Sequence, residues 1–157
     1  PPPGRQRANT TTPNARLRPE SARHYERNMF PLVNLLGMVA CEAAYTNGDQ
    51  WVDDLVAYVR ANHEHFAHEV NTRVPEITVI PADSLYLAWM DCRGLGMDAE
   101  GLQDFMLTKA RIWFDQGQKF STEGRGYMRA NLGCPRSTVD EAIERLVSAV
   151  DEWRNTK

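Results

Sequence analysis

Three histidines lie close together in the sequence and are the first candidates for metal chemistry. A zinc-protease motif needs a second histidine three residues after His-Glu, but His63-Glu64 is followed by Ala67 at that position. His65 and His68 are three residues apart and can share one face of a helix, whereas His63 and His65 cannot. No third ligand follows at a fitting spacing. We therefore expect a polar helix flank and no metal site.

Residues suited to nucleophilic catalysis and phosphate binding are present without the motifs that would activate them. The sequence contains no Gly-x-Ser-x-Gly elbow, and Cys134 has no histidine nearby in the sequence. Cys134 is therefore interpreted as a small apolar residue. The pairs Gly94-x-Gly96 and Gly124-x-Gly126 lack the rest of a dinucleotide or P-loop fingerprint, which predicts turns.

Arg129 is the more informative candidate, because it lies in the middle of a predicted strand between Met128 and Ala130. Its planar guanidinium suits two-point binding of a carboxylate. Simple strand alternation favours a different interpretation, an outward-facing arginine in solvent. Arg136, just before a predicted helix, has the same ambiguity.

The elements that must position these residues alternate between helical and strand patterns. Apolar residues recur at intervals of three, four and seven over 49–73, which predicts a long helix that Pro75 ends. Asp98 is placed to cap a further helix. Runs of β-branched and aromatic residues predict four strands, at 77–80, 85–91, 112–114 and 127–132.

The last helix is predicted to open at Pro135 and Ser137, with Thr138 and Glu141 as a capping box. The complete order is helix, helix, two strands, helix, two strands, helix. That order predicts an α+β fold, in which a small, mostly antiparallel sheet is covered on one face by helices.

Composition restricts the chain to one broad class of protein. Its 157 residues are 42% apolar and 25% charged, which is typical of a globular domain. No apolar run approaches the roughly 20 residues of a membrane helix, and no secretion signal is evident at the start. The three scattered cysteines argue against a disulfide scaffold and favour a reducing, cytoplasmic setting.

Charge and apolar residues are unevenly distributed near the amino terminus. The net charge is −3, yet residues 1–27 hold six arginines against two glutamates. Residues 1–18 have almost no apolar side chains, so we expect an extended basic arm. A helical region follows, with a helix starting near Pro31. It is apolar on most sides over 35–45, which predicts burial on several faces or an interface.

Several ordered motifs resemble one enzyme family. They are Leu85-Tyr-Leu-Ala-Trp-Met-Asp-Cys-Arg-Gly-Leu-Gly96, then Gly117-x-x-Phe120, then Gly126-Tyr-Met-Arg-Ala-Asn-Leu-Gly-Cys-Pro-Arg136. Asn34-Leu-Leu-Gly37, Ala43-Ala-Tyr45 and Gly48-x-x-Trp51 precede them in the same register. The chain thus resembles, over about 19–154, the C-terminal region of the cystathionine β-lyase branch of the class I/II aminotransferases, which are fold type I pyridoxal-phosphate (PLP) enzymes. Trp89 points to the lyase branch.

The resemblance assigns roles to individual residues. Arg129 falls on the arginine that grips the α-carboxylate of the substrate, while Gly117, Phe120 and Gly124 fall near the mouth of the active site. Asn34 and Gly37 fall near the junction of the large and small domains. The implied division is a basic arm (1–18), a helical remnant of the large PLP domain (19–47) and the small C-terminal domain (48–157), which begins with the linking helix.

The Schiff-base lysine of the family has no counterpart here. Only Lys109, Lys119 and Lys157 are present, and none lies in the family's lysine motif. The chain therefore looks like the C-terminal third of a C–S β-lyase or aminotransferase that eliminates sulfur from cystathionine or cysteine-type substrates. Alone, it is expected to bind no PLP and to be inactive. The resemblance also implies a homo-oligomer, such as a dimer, or pairing with the absent large domain.

Two other hypotheses remain open at this point. A non-catalytic module could use the apolar segment 35–45 for self-association or for a partner protein. Nucleic-acid binding through the arginine-bearing arm is less favoured, because the rest of the chain is acidic and no stacking motif is present.

Overall fold

The structure is a computed structural model that describes residues 13–27 and 35–156. Contacts divide the chain into two compact units, with the boundary after Asp53. Pro31, Asn34 and most of the predicted arm lie outside the described residues.

The first unit contains two helices, α1 (Leu17–Arg27) and α2 (Leu35–Asn47). The helix α1 begins inside the range predicted to be extended, because Asn14 accepts hydrogen bonds from the first backbone N–H groups of that helix. The predicted stop at Asn47-Gly48 is confirmed. A Cβ at Gly48 would lie 2.3 Å from the carbonyl oxygen of Ala44, so only glycine fits this tight turn.

The helix α2 has little buried surface in the structure. Leu35 and Leu36 are 72% and 73% exposed, and Gly37 is the buried residue of this helix. The described residues therefore do not bury several faces of α2, although the sequence had predicted such burial. An apolar helix surface of this size is typical of an interface.

The second unit carries the sheet. The helix α3 (Asp49–Arg73) has the predicted bounds and is followed by β1 (Thr78–Ile80) and β2 (Leu87–Asp91). The strands β3 (Asp115–Gln116) and β4 (Tyr127–Asn131) complete a four-stranded sheet of order β1-β2-β4-β3. Every pairing is antiparallel, so the predicted α+β class is confirmed.

Strand alternation gives the sheet two different faces. The inner face packs against the buried sides of α3 and of the last helix, α5 (Arg136–Asn155). Together they form one hydrophobic core. The odd-numbered residues of β2 and β4 point the other way, and all of them are half-buried except Asn131, which is exposed. Arg129 belongs to this outer face. Inner-face residues are Val79, Ala88, Met90, Gln116, Met128 and Ala130.

A buried amide ties α3 to the end of β4. Asn62 is fully buried, and its side-chain nitrogen donates to the backbone oxygens of Leu132 at 2.9 Å and Cys134 at 3.0 Å. These two carbonyls lie where β4 ends, beyond its ladder of hydrogen bonds. Satisfying them inside the core removes the cost of burying unpaired acceptors. Asn62 therefore fixes the strand that carries Arg129.

Two local predictions are wrong. No strand forms at 112–114; pairing begins at Asp115, after Arg111 has adopted a positive φ of 55°. The capping box also fails, because α5 already begins at Arg136 and places Thr138 inside the helix. The hydroxyl of Tyr58 accepts a hydrogen bond from the Arg136 backbone N–H at 2.7 Å and does the capping instead.

The Asp98 cap is confirmed. Its side chain accepts from the Gly101 N–H at 2.7 Å and opens α4 (Ala99–Asp104), which continues into a π-helical turn over Phe105–Lys109. In the described part of the chain, no helix is long and apolar enough to cross a membrane.

Candidate carboxylate-binding site

Arg129 lies at the centre of the outer face of the sheet. In the register of the strands it stands opposite Trp89 on β2 and Asp115 on β3. These three side chains form one row across the sheet. Alternation alone predicts that Arg129 points away from the helical core, and this is correct. It does not predict that the guanidinium is engaged by its neighbours.

Asp115 is the ionic partner of Arg129. An Nη2 of Arg129 donates to Oδ2 of Asp115 at 2.6 Å, and the two side chains are 30% and 40% exposed. The Nε atom of Arg129 is buried and has no hydrogen-bond partner among the described residues. The Nε–H therefore has no partner in this arrangement, and Nη1 donates to no group among the described residues.

Phe120 fixes the plane of the guanidinium. The Cζ atom of Arg129 lies 4.5 Å from the centroid of the Phe120 ring, a cation–π contact. The same ring meets Trp89 edge-on at 5.8 Å. One face of the guanidinium is thus covered, while Asp115 sets its rotation within the plane. We call Arg129, Asp115 and Phe120 the Arg129 cluster.

Gly117 and Gly124 build the loop that presents Phe120. Two single 3₁₀ turns, Gly117–Lys119 and Thr122–Gly124, pack directly against each other. A Cβ at either glycine would lie 2.3 Å from the carbonyl oxygen of the other. Both glycines are buried, whereas Phe120 is 53% exposed. The structure therefore brings Phe120 to Arg129 and places the two glycines behind it as supports.

A second arginine–carboxylate pair lies on the same side of the sheet. Arg93 donates through Nε at 2.9 Å and through Nη2 at 2.6 Å to Asp91, and its Cζ lies 4.9 Å from the Tyr127 ring centroid. The Tyr127 ring stacks on Trp89 at 5.9 Å. The Arg93 guanidinium holds the pKa of the Asp91 carboxyl below its usual range. Asp91 thus binds two nitrogens of Arg93, whose side chain is 62% exposed.

The remaining chemical candidates do not converge on a site. His65 contacts Asp140 at 2.7 Å, and His68 lies 4.0 Å from Glu69. The described residues contain no group of three ligands that could hold a metal. Burial raises the pKa of the Cys134 thiol and, for Cys92, raises the pKa to about 12, which disfavours the reactive thiolate.

Comparison with known proteins identifies the fold. No family model matches the chain. It is 34% identical to Protein MalY of Escherichia coli K12 over 117 residues, which cover 74% of this chain and 30% of MalY. It is 29% identical to cystathionine β-lyase PatB of Bacillus subtilis over 147 residues, 94% of this chain and 38% of PatB.

A solved structure gives the same result. Cystalysin of Treponema denticola, which contains a pyridoxal 5′-phosphate cofactor, superposes with a TM-score of 0.82 at 30% identity. The match covers 90% of this chain and 36% of cystalysin. This chain is the counterpart of the C-terminal region of the cystathionine β-lyases. It spans about a third of the length of the relatives it matches.

The described residues of this chain do not by themselves fit PLP. The two described lysines, Lys109 and Lys119, are exposed, at the end of the π-helical turn and in the first 3₁₀ turn. Neither has a hydrogen bond or ion pair that would hold its amine against a cofactor among the described residues. The one cation of the Arg129 cluster suits a carboxylate. The side chains that contact it, Asp115 and Phe120, are acidic and aromatic and provide no amine for the cofactor. We derive no chemical step through PLP from this chain.

The sequence predicted Arg129 and Phe120 as site residues, and the structure brings these two side chains together, whereas Asp115 and Arg93 were not predicted. Asp115 lies just beyond the predicted strand at 112–114, and only its pairing with β4 places it beside Arg129. A signal was nevertheless present in the sequence. Asp115 stands two positions before the glycine of a turn, and Arg129 lies in the strand that returns. Such residues form a cross-strand pair of opposite charge when the hairpin closes.

Proposed function

We propose that this chain forms the part of a PLP-dependent C–S β-lyase that binds the α-carboxylate of the amino-acid substrate. Arg129 is the binding residue. The observation that supports the proposal is the restrained guanidinium, which Asp115 and the Phe120 ring hold on the outer face of the sheet while the side chain stays 30% exposed. A planar guanidinium can donate two parallel hydrogen bonds to the two oxygens of a carboxylate.

The chain's own contribution is to bind and orient. A carboxylate held at two points fixes the substrate's Cα, and with it the bonds to hydrogen and to the β-carbon. Asp115 and Phe120 keep the guanidinium in one orientation before the substrate arrives, so less entropy is lost on binding. PLP, when bound by the remainder of the enzyme, supplies the electron sink for β-elimination from cystathionine or cysteine-type substrates. The Schiff-base lysine belongs to that remainder, and the chain alone is inactive.

The proposal includes the setting of the intact enzyme. The three cysteines of this chain are unpaired, which supports a reducing, cytoplasmic location. The exposed apolar residues of α2 support assembly, either with the large domain or as a homo-oligomer such as a dimer. The Gly117, Phe120 and Gly124 segment is assigned to the mouth of the active site, where Phe120 reaches the substrate's anchor.

The same exposed helix supports one alternative function. Leu35, Leu36 and Val39 would serve a non-catalytic module that self-associates or binds a protein partner. Under that alternative the arrangement around Arg129 is structural, and the chain supports no β-lyase reaction in any context.

A hybrid enzyme separates the two functions. Residues 48–157 replace the matching C-terminal region of PatB, with the junction at the Gly48 turn so that no helix is cut. We expect the purified hybrid to bind PLP and to release pyruvate from L-cystathionine. PatB lacking its C-terminal region is the control and should release none. A hybrid that binds PLP and yet forms no pyruvate would contradict the proposal and favour the non-catalytic module.

A further inference from the structure

We propose that the end of β3 binds one buried water molecule through the side-chain amide of Gln116. The water joins β3 to the two 3₁₀ turns that present Phe120. This site is separate from the ion pair of Arg129, and it does not rest on the function proposed above.

A small cavity lies where β3 and β4 meet the two turns and the start of α4. It offers about 10 Å³ to a water-sized sphere, which is about the least room that one water molecule needs. The polar side chains in its wall are those of Gln116, Gln118 and Tyr127, and the other lining residues are glycine or apolar. None of the lining residues is charged, so the cavity suits one small neutral ligand.

Gln116 brings an unused hydrogen-bond donor to the wall of this cavity. The residue is only 8% exposed, and its Oε1 accepts from Nε2 of Gln118 at 3.1 Å. Its own Nε2 is buried and has no hydrogen-bond partner among the described residues. A buried donor that loses its hydration without gaining a partner is costly, and proteins normally satisfy such donors with protein groups or ordered water. The cavity has room for that water.

The water also needs acceptors for its own hydrogens, because buried waters make about three hydrogen bonds each. Besides the side chains of Gln118 and Tyr127, the lining residues offer backbone carbonyl groups, which are strong acceptors. Gly117 and Gly124, one from each 3₁₀ turn, are among these residues. The water therefore links the Gln116 amide to the backbone around it and stiffens the loop that carries Phe120.

Asn62 provides an internal comparison. It is the other buried amide of the second unit, with 0% exposure. Its Nδ2 already donates to the backbone oxygens of Leu132 at 2.9 Å and Cys134 at 3.0 Å. Both hydrogens of this amide thus have protein acceptors, so its nitrogen needs no water.

The test follows the side-chain amide protons of Gln116 by NMR in the full chain labelled with ¹⁵N, assigned through NOEs to the residue's own protons. We expect cross-peaks from these protons to the water signal, with opposite signs in NOESY and ROESY spectra, which identify a long-lived bound water. The amide protons of Asn62 should show none. In Tyr127→Phe the Gln116 cross-peaks should remain, because they come from water and not from exchange through the phenol hydroxyl.

Two results of this experiment would overturn the proposal. One is a Gln116 amide without cross-peaks to water. The other is loss of these cross-peaks in Tyr127→Phe, which would assign them to the hydroxyl. The wild-type spectrum needs no variant to fold, so it decides the first point by itself.

Urea unfolding of two methionine variants provides a second measurement. Gln118→Met removes the hydrogen bond between the two glutamines, whereas Gln116→Met removes that bond and the amide that binds the water. We expect Gln116→Met to raise the equilibrium constant of unfolding about five- to tenfold more than Gln118→Met does. A donor that is simply unsatisfied predicts the opposite order, because its removal relieves the cost of burying it. An equal or smaller effect of Gln116→Met would therefore contradict the proposal.

Discussion

Arg129→Ala in the PatB hybrid is expected to lower kcat/KM for L-cystathionine about a thousandfold, or about 4 kcal/mol in transition-state free energy. Two charge-assisted hydrogen bonds to the substrate would be lost, together with the orientation that they impose. Arg129→Lys keeps the charge but not the planar fork, so it should recover only a small part of this loss. The measurement is steady-state pyruvate release.

The control for this prediction is an arginine outside the site. Arg145 lies on α5 and pairs with Glu141 at 2.5 Å, within a helix that packs on the opposite face of the sheet. Arg145→Ala should change kcat/KM less than about twofold, in keeping with the small worth of exposed ion pairs. PLP absorbance reports that each variant is folded. An Arg129→Ala hybrid as active as Arg145→Ala would exclude Arg129 from substrate binding.

Gly124→Ala is expected to lower the free energy of unfolding of the chain by about 3 kcal/mol or more. The new Cβ would lie 2.3 Å from the oxygen and 2.5 Å from the carbon of the Gly117 carbonyl. Both contacts are with backbone, so the two 3₁₀ turns must separate. Phe120 would then lose its position over the guanidinium. Urea unfolding of the purified chain measures the effect.

Gly101→Ala is the matched substitution in the same unit. The nearest atom to a Cβ at Gly101 is Oδ1 of Asp98 at 3.0 Å, at the end of a side chain that can move. Alanine also favours the helix that contains this position. We expect a change of less than about 1 kcal/mol. Equal stability of the two variants would mean that the turns around Gly117 and Gly124 do not pack as described.

Much of the fold was predictable because its signals are local. The three, four, seven spacing in α3 and the stop at Pro75 lie within one element, and the structure has the predicted bounds of 49–73. Alternating residues likewise predicted β2 and β4 to within two residues at their ends. The antiparallel pairing follows from strands joined by turns.

The errors occurred where the deciding contact is distant in sequence. The start of α5 depends on the Tyr58 hydroxyl, 78 residues away, and so the Thr138–Glu141 pattern was misleading. The true position of β3 depends on its register with β4. The Arg129 cluster likewise depends on a contact between residues that are separated in the sequence. The guanidinium of Arg129 suggested a carboxylate ligand, but its ion pair with Asp115 can be seen only once β3 and β4 pair.

Under the proposed function, this chain holds the carboxylate of the substrate, and the Schiff-base lysine lies in the remainder of the enzyme. The most direct measurement is a PLP titration of the purified chain, followed by borohydride reduction and intact mass analysis. We predict no stoichiometric pyridoxyl adduct and no stable absorbance band, because Lys109 and Lys119 are exposed and unsupported. A stable one-to-one adduct mapped to either lysine would contradict the account and place a cofactor site within these 157 residues.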